Sequence, residues 1–189
     1  MQKEKFEFIK KKYGHYASWA VFGEEGNLPK SNMSDLSMFE NTDILKILNP
    51  NIIFVGLNIS KLGQINHPFE NFHGPLGGAY KIKFAFKNSP YWGAYMTDII
   101  KDFAEKASNK MMHYLRNNKD FEEENILTFK QELTDLKSDN PLLIAFGNDA
   151  YSILKRNLQD EFNIKKVPHY STYMSKEKYR KEIKEIMNF

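Results

Sequence analysis

The stretch Asn51–Ser60, with the sequence NIIFVGLNIS, constrains the fold of this chain more than any other segment. Residues 52 to 57 are apolar apart from Gly56, and no polar residue alternates with them. A strand that is apolar on both faces is typical of a parallel sheet covered by helices on both sides. Ligands of open parallel sheets bind beyond the carboxyl ends of the strands. Asn58, at the end of this strand, is therefore the first candidate for chemistry.

Three further short apolar segments are predicted to be strands of the same sheet. They cover Gly93–Ile100, Leu142–Phe146 and Phe162–Val167. Helical spacing of apolar residues marks Lys3–Ala20, Phe121–Lys137, the stretch from Ala150 to Leu158 and a last helix that Ser175 caps. Helices that alternate with short apolar strands predict an α/β fold, a three-layer α/β/α domain with a four-stranded parallel sheet.

The length and composition indicate one folded domain. The 189 residues are expected to form a single α/β domain, with an N-terminal helical segment over residues 1–50 and the core over residues 51–189. Hydrophobic residues make up 41% of the chain and aromatic residues 14%, which argues against disorder. The chain has no cysteine, which excludes disulfides and thiolate metal sites.

The charge and hydropathy of the chain limit the partners and the cellular compartment that can be expected. The net charge of +3 permits nucleic-acid binding without requiring it. Residues 1–12 carry no apolar run of signal-peptide length, and no stretch approaches the ~20 apolar residues of a membrane span. We therefore expect a cytoplasmic protein that does not enter a membrane, and we take a monomer as the expected state.

Polar residues are predicted to converge at one edge of the sheet. Right-handed crossovers place the carboxyl ends of all parallel strands at the same edge. Asn58, Asp98, Gly147 and His169 then share this edge although they lie far apart in sequence. The segment 58–91 begins there and is rich in glycine, proline and aromatic residues, as functional loops often are.

The order of these features resembles the uracil-DNA glycosylase superfamily. Gly56–Ser60 is similar to its first motif, in the Gly-x-Asn-Pro-Gly version of the mismatch-specific thymine/uracil branch, and His169–Ser171 resembles its second motif, His-Pro-Ser. The resemblance spans residues 52 to 171 and includes the strand that ends in Thr-Asp. This chain has Ile59 and Ser60 where that branch has proline and glycine, and Tyr170 where the second motif has proline.

The resemblance implies a uracil-DNA glycosylase-like fold, DNA as the macromolecular partner and hydrolysis of the N-glycosidic bond of uracil or a related damaged base in DNA. It implies that Asn58 orients the attacking water and that His169 stabilises the departing base, with Asp98 as an alternative catalytic base. The cysteines that hold an iron–sulfur cluster in some branches of the superfamily are absent here, so neither a cluster nor another cofactor is expected. The implied base-binding residues are Gly56, Leu57 and Phe72, and the implied phosphate-binding residues are Ser171 and Ser60.

Each of these residues also has a purely structural interpretation. Asn58 can cap the turn after its strand, and Asp98 can hold two loops together through backbone hydrogen bonds. Phe69, His73 and Tyr80 compete with Phe72 for the stacking role, and any one of the 15 phenylalanines is more often a core residue. His67, Glu70 and His73 lack the spacing of a known metal motif, so no metal site is expected.

Two functional hypotheses follow, with a third behind them. The first is a monofunctional glycosylase of DNA bases. The second is a nucleobase-binding or nucleic-acid-binding module on the same fold without catalysis, which the changes at residues 59, 60 and 170 favour. A protein-interaction domain is the third, and a flat apolar edge without a pocket would favour it.

Overall fold

A five-stranded mixed sheet forms the centre of the protein in the computed structural model, which describes residues 1–24, 26–59, 65–75, 77–101, 103–138 and 140–189. The strands are β1 (Ser18–Trp19), β2 (Asn49–Asn58), β3 (Ala94–Ile100), β4 (Leu142–Phe146) and β5 (Ile164–Val167). Their order across the sheet is β1-β3-β2-β4-β5. β1 runs antiparallel to β3, and the other neighbouring pairs are parallel.

The α/β class is as predicted, but the sheet has five strands and is mixed rather than four-stranded and parallel. The four predicted strands are all present as β2 to β5. The additional strand, β1, lies inside the segment that was predicted to continue the first helix to Ala20. That helix ends at Tyr13, and the chain then enters the sheet, where the two residues of β1 pair with Tyr95 and Met96.

Helices cover both faces of the sheet. The α-helices are α1 (Lys3–Tyr13), α2 (Tyr80–Phe86), α3 (Ser108–Asn117), α4 (Lys119–Asp135), α5 (Gly147–Leu158) and α6 (Lys176–Met187), and two short 3₁₀ helices span Ser37–Glu40 and Thr42–Lys46. Apolar residues of α1, α3, α4 and α5 form one core on one face. Those of α2 and α6 form a second core on the other face. No helix among the described residues is long and apolar enough to cross a bilayer.

The register of β2 and β3 determines which side chains meet at the carboxyl edge, which we define as the edge where β2 to β5 end. Gly56 pairs with Asp98, and Asn58 pairs with Ile100. Side chains alternate between the faces of a strand. Tyr95 belongs to the core on the α4 side and Met96 to the core on the α2–α6 side. Asp98 therefore lies on the α2–α6 side, beside Gly56.

A buried polar network fixes β3 against α4. Lys101 Nζ donates to Thr97 Oγ1 at 2.6 Å and to Glu132 Oε2 at 2.7 Å, and the Tyr95 hydroxyl donates to Glu132 Oε1 at 2.6 Å. Lys101 and Glu132 are both almost fully buried. Buried charges are tolerated when they are paired and hydrogen-bonded, as they are here. The strand that carries Asp98 is thus held rigidly from its opposite face.

Candidate functional site at the carboxyl edge of the sheet

A buried carboxylate, that of Asp98, lies directly over Gly56. Asp98 is only 4% exposed, and Asn71 Nδ2 donates to its Oδ2 at 3.0 Å. Among the described residues no hydrogen bond reaches its Oδ1. A Cβ atom at position 56 would overlap this oxygen. The carboxylate therefore occupies the space of a side chain at position 56, and glycine is required there.

Asn71 connects Asp98 to the loop that precedes α2. Its Nδ2 also donates to the backbone oxygen of Tyr16 at 2.6 Å, and its Oδ1 accepts from the N–H of Phe72 at 3.1 Å. All polar atoms of this side chain are thus used, because the amide bridges three parts of the fold. The sequence-based prediction missed Asn71, since only its position within the glycine- and proline-rich segment pointed to it.

Two aromatic residues of this loop have a strained backbone. Phe69 and Phe72 have φ angles of 67° and 69°, which bulky residues rarely adopt. Each costs about 1–3 kcal/mol and persists only where the surroundings enforce it. Here the backbone oxygen of Phe69 accepts from Ser18 Oγ at 2.7 Å, and its N–H donates to the oxygen of Gly14 at 2.8 Å. Such strain is typical of functional loops, and in this loop it brings Phe72 to Asp98.

Phe72 lies where a base-stacking residue was predicted. Its Cε1 is 3.6 Å from the position that a Cβ atom at residue 56 would take, so the ring lies beside Gly56 and close to the Asp98 carboxylate. The ring is 7% exposed and also belongs to the α2–α6 core. Phe72 therefore has core contacts as well as a place at the site. Its role in stacking stays a prediction.

Burial changes the acidity of Asp98. Desolvation raises the pKa of Asp98 from 3.8 to about 6, and the charge of Glu132 adds to this effect. The hydrogen bond from Asn71 and the charge of Lys101 act in the opposite direction. The carboxyl group is thus ionised at pH 7 yet more basic than an ordinary aspartate. A general base works best when its pKa lies near the working pH.

His169 is held in one orientation by Ser171. His169 Nδ1 accepts the backbone N–H of Ser171 at 3.1 Å and lies 2.7 Å from Ser171 Oγ. Because Nδ1 accepts a hydrogen bond, the neutral ring carries its proton on Nε2. Burial lowers the pKa of His169, although Asp149 partly opposes this. His169 is therefore a neutral N–H donor at pH 7. Because Nδ1 carries no proton, the Ser171 hydroxyl donates to it as well. Both donors of Ser171 are thus used within the loop, and the predicted phosphate contact stays a prediction.

Tyr170 follows His169 in the loop after β5 and lies near Asp98. Its ring contacts Phe146 edge-on, with 5.2 Å between centroids, and stacks on His169 at 4.3 Å. Burial and the charge of Asp98 raise the pKa of Tyr170, so its hydroxyl stays protonated and lies within electrostatic reach of that carboxylate. The backbone of Gly78 lies against the Tyr170 carbonyl. The sequence-based prediction treated Tyr170 only as a departure from a motif.

Asn58 has a structural role in addition to any catalytic one. Its Nδ2 donates to the backbone oxygens of Phe103 and Glu105, both at 2.9 Å, and of Ile59 at 3.3 Å. The amide nitrogen therefore holds the segment after β3 to the end of β2. Among the described residues Oδ1 of Asn58 accepts no hydrogen bond, so the predicted orientation of water depends on this atom alone and stays a prediction.

Replacing Asn58 by aspartate is expected to lower the free energy of unfolding by about 2–3 kcal/mol at pH 7. A carboxylate cannot donate to the three carbonyls and is repelled by them. Urea unfolding measures the loss. Asn117→Asp is the matched control, because Asn117 is exposed and donates only within α3, to His113. It should cost less than about 1 kcal/mol. Equal losses in the two variants would contradict the structural role of Asn58.

Two other predicted residues are less well placed, and one lies outside the described residues. The Leu57 side chain lies in the core on the α4–α5 face, away from Asp98, so only its backbone can meet a base. Ser171 is exposed. Ser60 lies outside the described residues. Tyr173, which was not predicted, follows Ser171 by two residues and is fully exposed at 102%.

The donor set at this edge does not suggest a metal. No group of three or more His, Asp or Glu side chains that could hold an ion occurs among the described residues.

Comparison of the chain with protein-family models, with curated proteins and with solved structures found no match. Function must therefore be inferred from the geometry of the carboxyl edge itself.

Proposed function

We propose that this protein is a uracil-DNA glycosylase-like hydrolase with a fold of that superfamily, and that Asp98 activates the attacking water. The observation that carries the proposal is the buried carboxylate over Gly56, fixed by Asn71 and bordered by Phe72. Its pKa of about 6 gives a base that is ionised at neutral pH. Asn58, which the motif suggests for this role, has its amide nitrogen occupied by backbone carbonyls.

The chemistry of base release matches these groups. When the bond between C1′ and the base nitrogen breaks, the bonding electron pair leaves with the base and the sugar becomes a cation. The Asp98 carboxylate stabilises that cation, takes a proton from water and directs the water oxygen to C1′. The base leaves as an anion and is finally protonated, so one water molecule is consumed for each base released.

Two neutral hydrogen-bond donors, His169 and Tyr170, are suited to stabilise the negative charge on the departing base. His169 offers its Nε2–H without carrying a positive charge, because its Nδ1 accepts from Ser171. Tyr170 keeps its hydroxyl proton. Preorganised donors of this kind stabilise developing negative charge better than mobile water does. Phe72 is the ring on which an extruded base would stack, a contact worth ~1–3 kcal/mol. Because this ring is 7% exposed, entry of a base requires the loop that carries Phe72 to shift.

DNA is the proposed substrate because a base must leave the stack to reach a site beside buried Asp98. The fully exposed ring of Tyr173 supports this substrate. It lies in the loop that carries His169 and has both faces open to stack on a base next to the extruded one.

The test is base release from labelled oligonucleotides. Single-stranded and duplex DNA with one uracil, one hypoxanthine or one thymine–guanine mispair is incubated with the full chain and then cleaved with alkali at abasic sites. We expect cleavage of at least one substrate by the wild-type protein, and cleavage of the same substrate by Asp98→Asn at a rate lower by about 10²–10⁴-fold. No cleavage of any substrate with enzyme in excess would refute the proposed activity.

A binding module on the same fold is the second candidate, and the contacts of Asn58 favour it. Asn58 binds backbone carbonyls and Phe72 packs in the core, so both residues have structural roles that do not require catalysis. An edge of this kind can hold a base without releasing it. Salt-dependent binding of the same oligonucleotides without abasic sites would support this candidate over the hydrolase.

A further inference from the structure

Two adjoining cavities lie on the outer side of α2 and α6. The first, of about 220 Å³, lies between the loop of residues 26–29, the α2 residues Tyr80, Lys83 and Phe84, and Lys176 at the start of α6. The second, of about 340 Å³, lies between Phe84 and residues 177–185 of α6. Phe84 lines both, so the two cavities adjoin at its ring, and we call them together the α2–α6 groove.

Cations and aromatic rings are paired along the groove. Lys176 Nζ lies 4.2 Å from the centre of the Phe84 ring, and the Arg180 guanidinium lies 5.2 Å from the same ring. Lys30 lies 5.5 Å from the centre of the Tyr80 ring. Cation–π contacts at these distances hold the charged groups beside the flat rings.

The groove carries more positive than negative charge. Its acidic lining residues are Glu177 and Glu185. Its basic lining residues are Lys83, Lys176, Arg180, Lys181 and Lys184. Lys83 is buried and donates to the backbone oxygens of Glu24 and Ser31, so the wall formed by this loop is fixed to α2. Lys176 and Arg180 are four residues apart, about 6 Å along α6, and present their charges on one side of the helix.

The groove opens at the carboxyl edge of the sheet. α2 begins two residues after Gly78, which contacts the Tyr170 carbonyl, and Lys81 Nζ donates to the oxygen of Thr172 at 2.7 Å. α6 begins directly after the same loop, where Ser175 caps it. A strand whose base reaches Asp98 therefore leaves the edge beside Tyr173 and Lys176 and can continue along the groove.

We propose that the α2–α6 groove binds the single-stranded DNA that flanks the target base. This inference rests on the proposed function and specifies its substrate. Lys176 and Arg180 turn from the Phe84 ring to successive phosphates, which frees the ring for an unpaired base to stack on it. Proteins that bind single strands combine a basic groove with aromatic surfaces in this way. A duplex hides the faces of its bases, so the rings select an unpaired strand.

The test uses a labelled 12-nucleotide oligothymidylate, which carries no target base, and a duplex of the same length. The Lys176→Gln/Arg180→Gln protein should bind the single strand at least tenfold more weakly than wild type at low salt. Loss of two phosphate contacts should also reduce the slope of log K against log salt by about 1.4. Phe84→Leu should weaken binding about tenfold without changing the slope. The Lys11→Gln/Lys137→Gln protein removes the same charge from exposed positions outside the groove and should bind normally.

The outcomes separate the groove from the catalytic proposal. Groove-dependent binding of the single strand without base release would support the groove and refute the hydrolase. Base release together with an unchanged affinity and salt slope in the groove variants would refute the groove alone. Tighter binding of the duplex than of the single strand would also overturn the groove proposal, as would equal losses in the groove and control variants.

Discussion

Replacement of Asp98 by asparagine is expected to lower the rate of base release by about 10²–10⁴-fold, the usual contribution of a positioned general base. Asparagine has nearly the same shape and keeps an oxygen that can accept from Asn71, so the site geometry should survive. An amide does not take up a proton near pH 7, so water is no longer activated. Single-turnover rates on the substrate that the wild-type protein cleaves measure the effect.

The same variant also provides a control for folding, because it should become more stable than wild type at neutral pH. Folding raises the pKa of Asp98 from 3.8 to about 6, so the folded protein binds this proton more tightly than the unfolded chain. That stabilisation is complete below pH 3.8 and is lost as the pH rises through 6. At 1.36 kcal/mol per pH unit it amounts to about 3 kcal/mol.

Urea unfolding at two pH values therefore tests the buried carboxylate independently of any activity. At pH 7.5 Asp98→Asn should unfold with a free energy up to about 3 kcal/mol higher than wild type, and at pH 4 the two proteins should be nearly equal. The same difference at both pH values would contradict a raised pKa of Asp98. A loss of activity in a protein that is more stable cannot be ascribed to misfolding.

Gly56→Ala is expected to be the most damaging small substitution at the site. The new Cβ overlaps Asp98 Oδ1, and Asn71 holds the other oxygen of that carboxylate, so the side chain cannot move freely. We expect a loss of about 1–3 kcal/mol in the free energy of unfolding, as for other overpacked buried sites. Base release should fall at least tenfold as Asp98 is displaced.

A double-mutant cycle attributes this cost to the contact with Asp98. In an Asp98→Ala protein the space beside residue 56 is open, so adding Gly56→Ala should cost less than it does in wild type. The difference, the coupling energy, should be about 1 kcal/mol or more. If the two effects are additive, the contact with Asp98 is not the reason for glycine at position 56. The reason would then be the backbone conformation of residue 56 or the closeness of the Phe72 ring.

The sheet could be predicted because its strands have an unambiguous pattern. Continuous apolar runs such as residues 52–57 and 142–146 fit a strand that is buried on both faces, and both are strands here. β1 could not be predicted, because two residues carry no periodicity and its pairing with β3 depends on tertiary contacts. α3 lies in a polar segment whose sequence suggested no regular structure.

The candidate site could be predicted only in outline. Because parallel strands end at one edge of the sheet, Asp98 and His169 were predicted to lie at the same edge. In the structure both lie near Tyr170. This rule of strand ends does not give side-chain partners, so it could not tell that Asn58 would bind the carbonyls of residues 103 and 105. Nor could it find Asn71, because its contact with Asp98 depends on the path of the irregular loop that carries it.

The pH dependence of base release by the wild-type protein tests the central role of Asp98 most directly. Single-turnover rates on uracil-containing single-stranded DNA are measured between pH 4.5 and 8. If Asp98 is the base, the rate rises about tenfold per pH unit at low pH and levels off above a pKa near 6, the value that burial gives this carboxyl group. A rate that is constant across this range, or one that Asp98→Asn reproduces, would show that Asp98 does not activate the water.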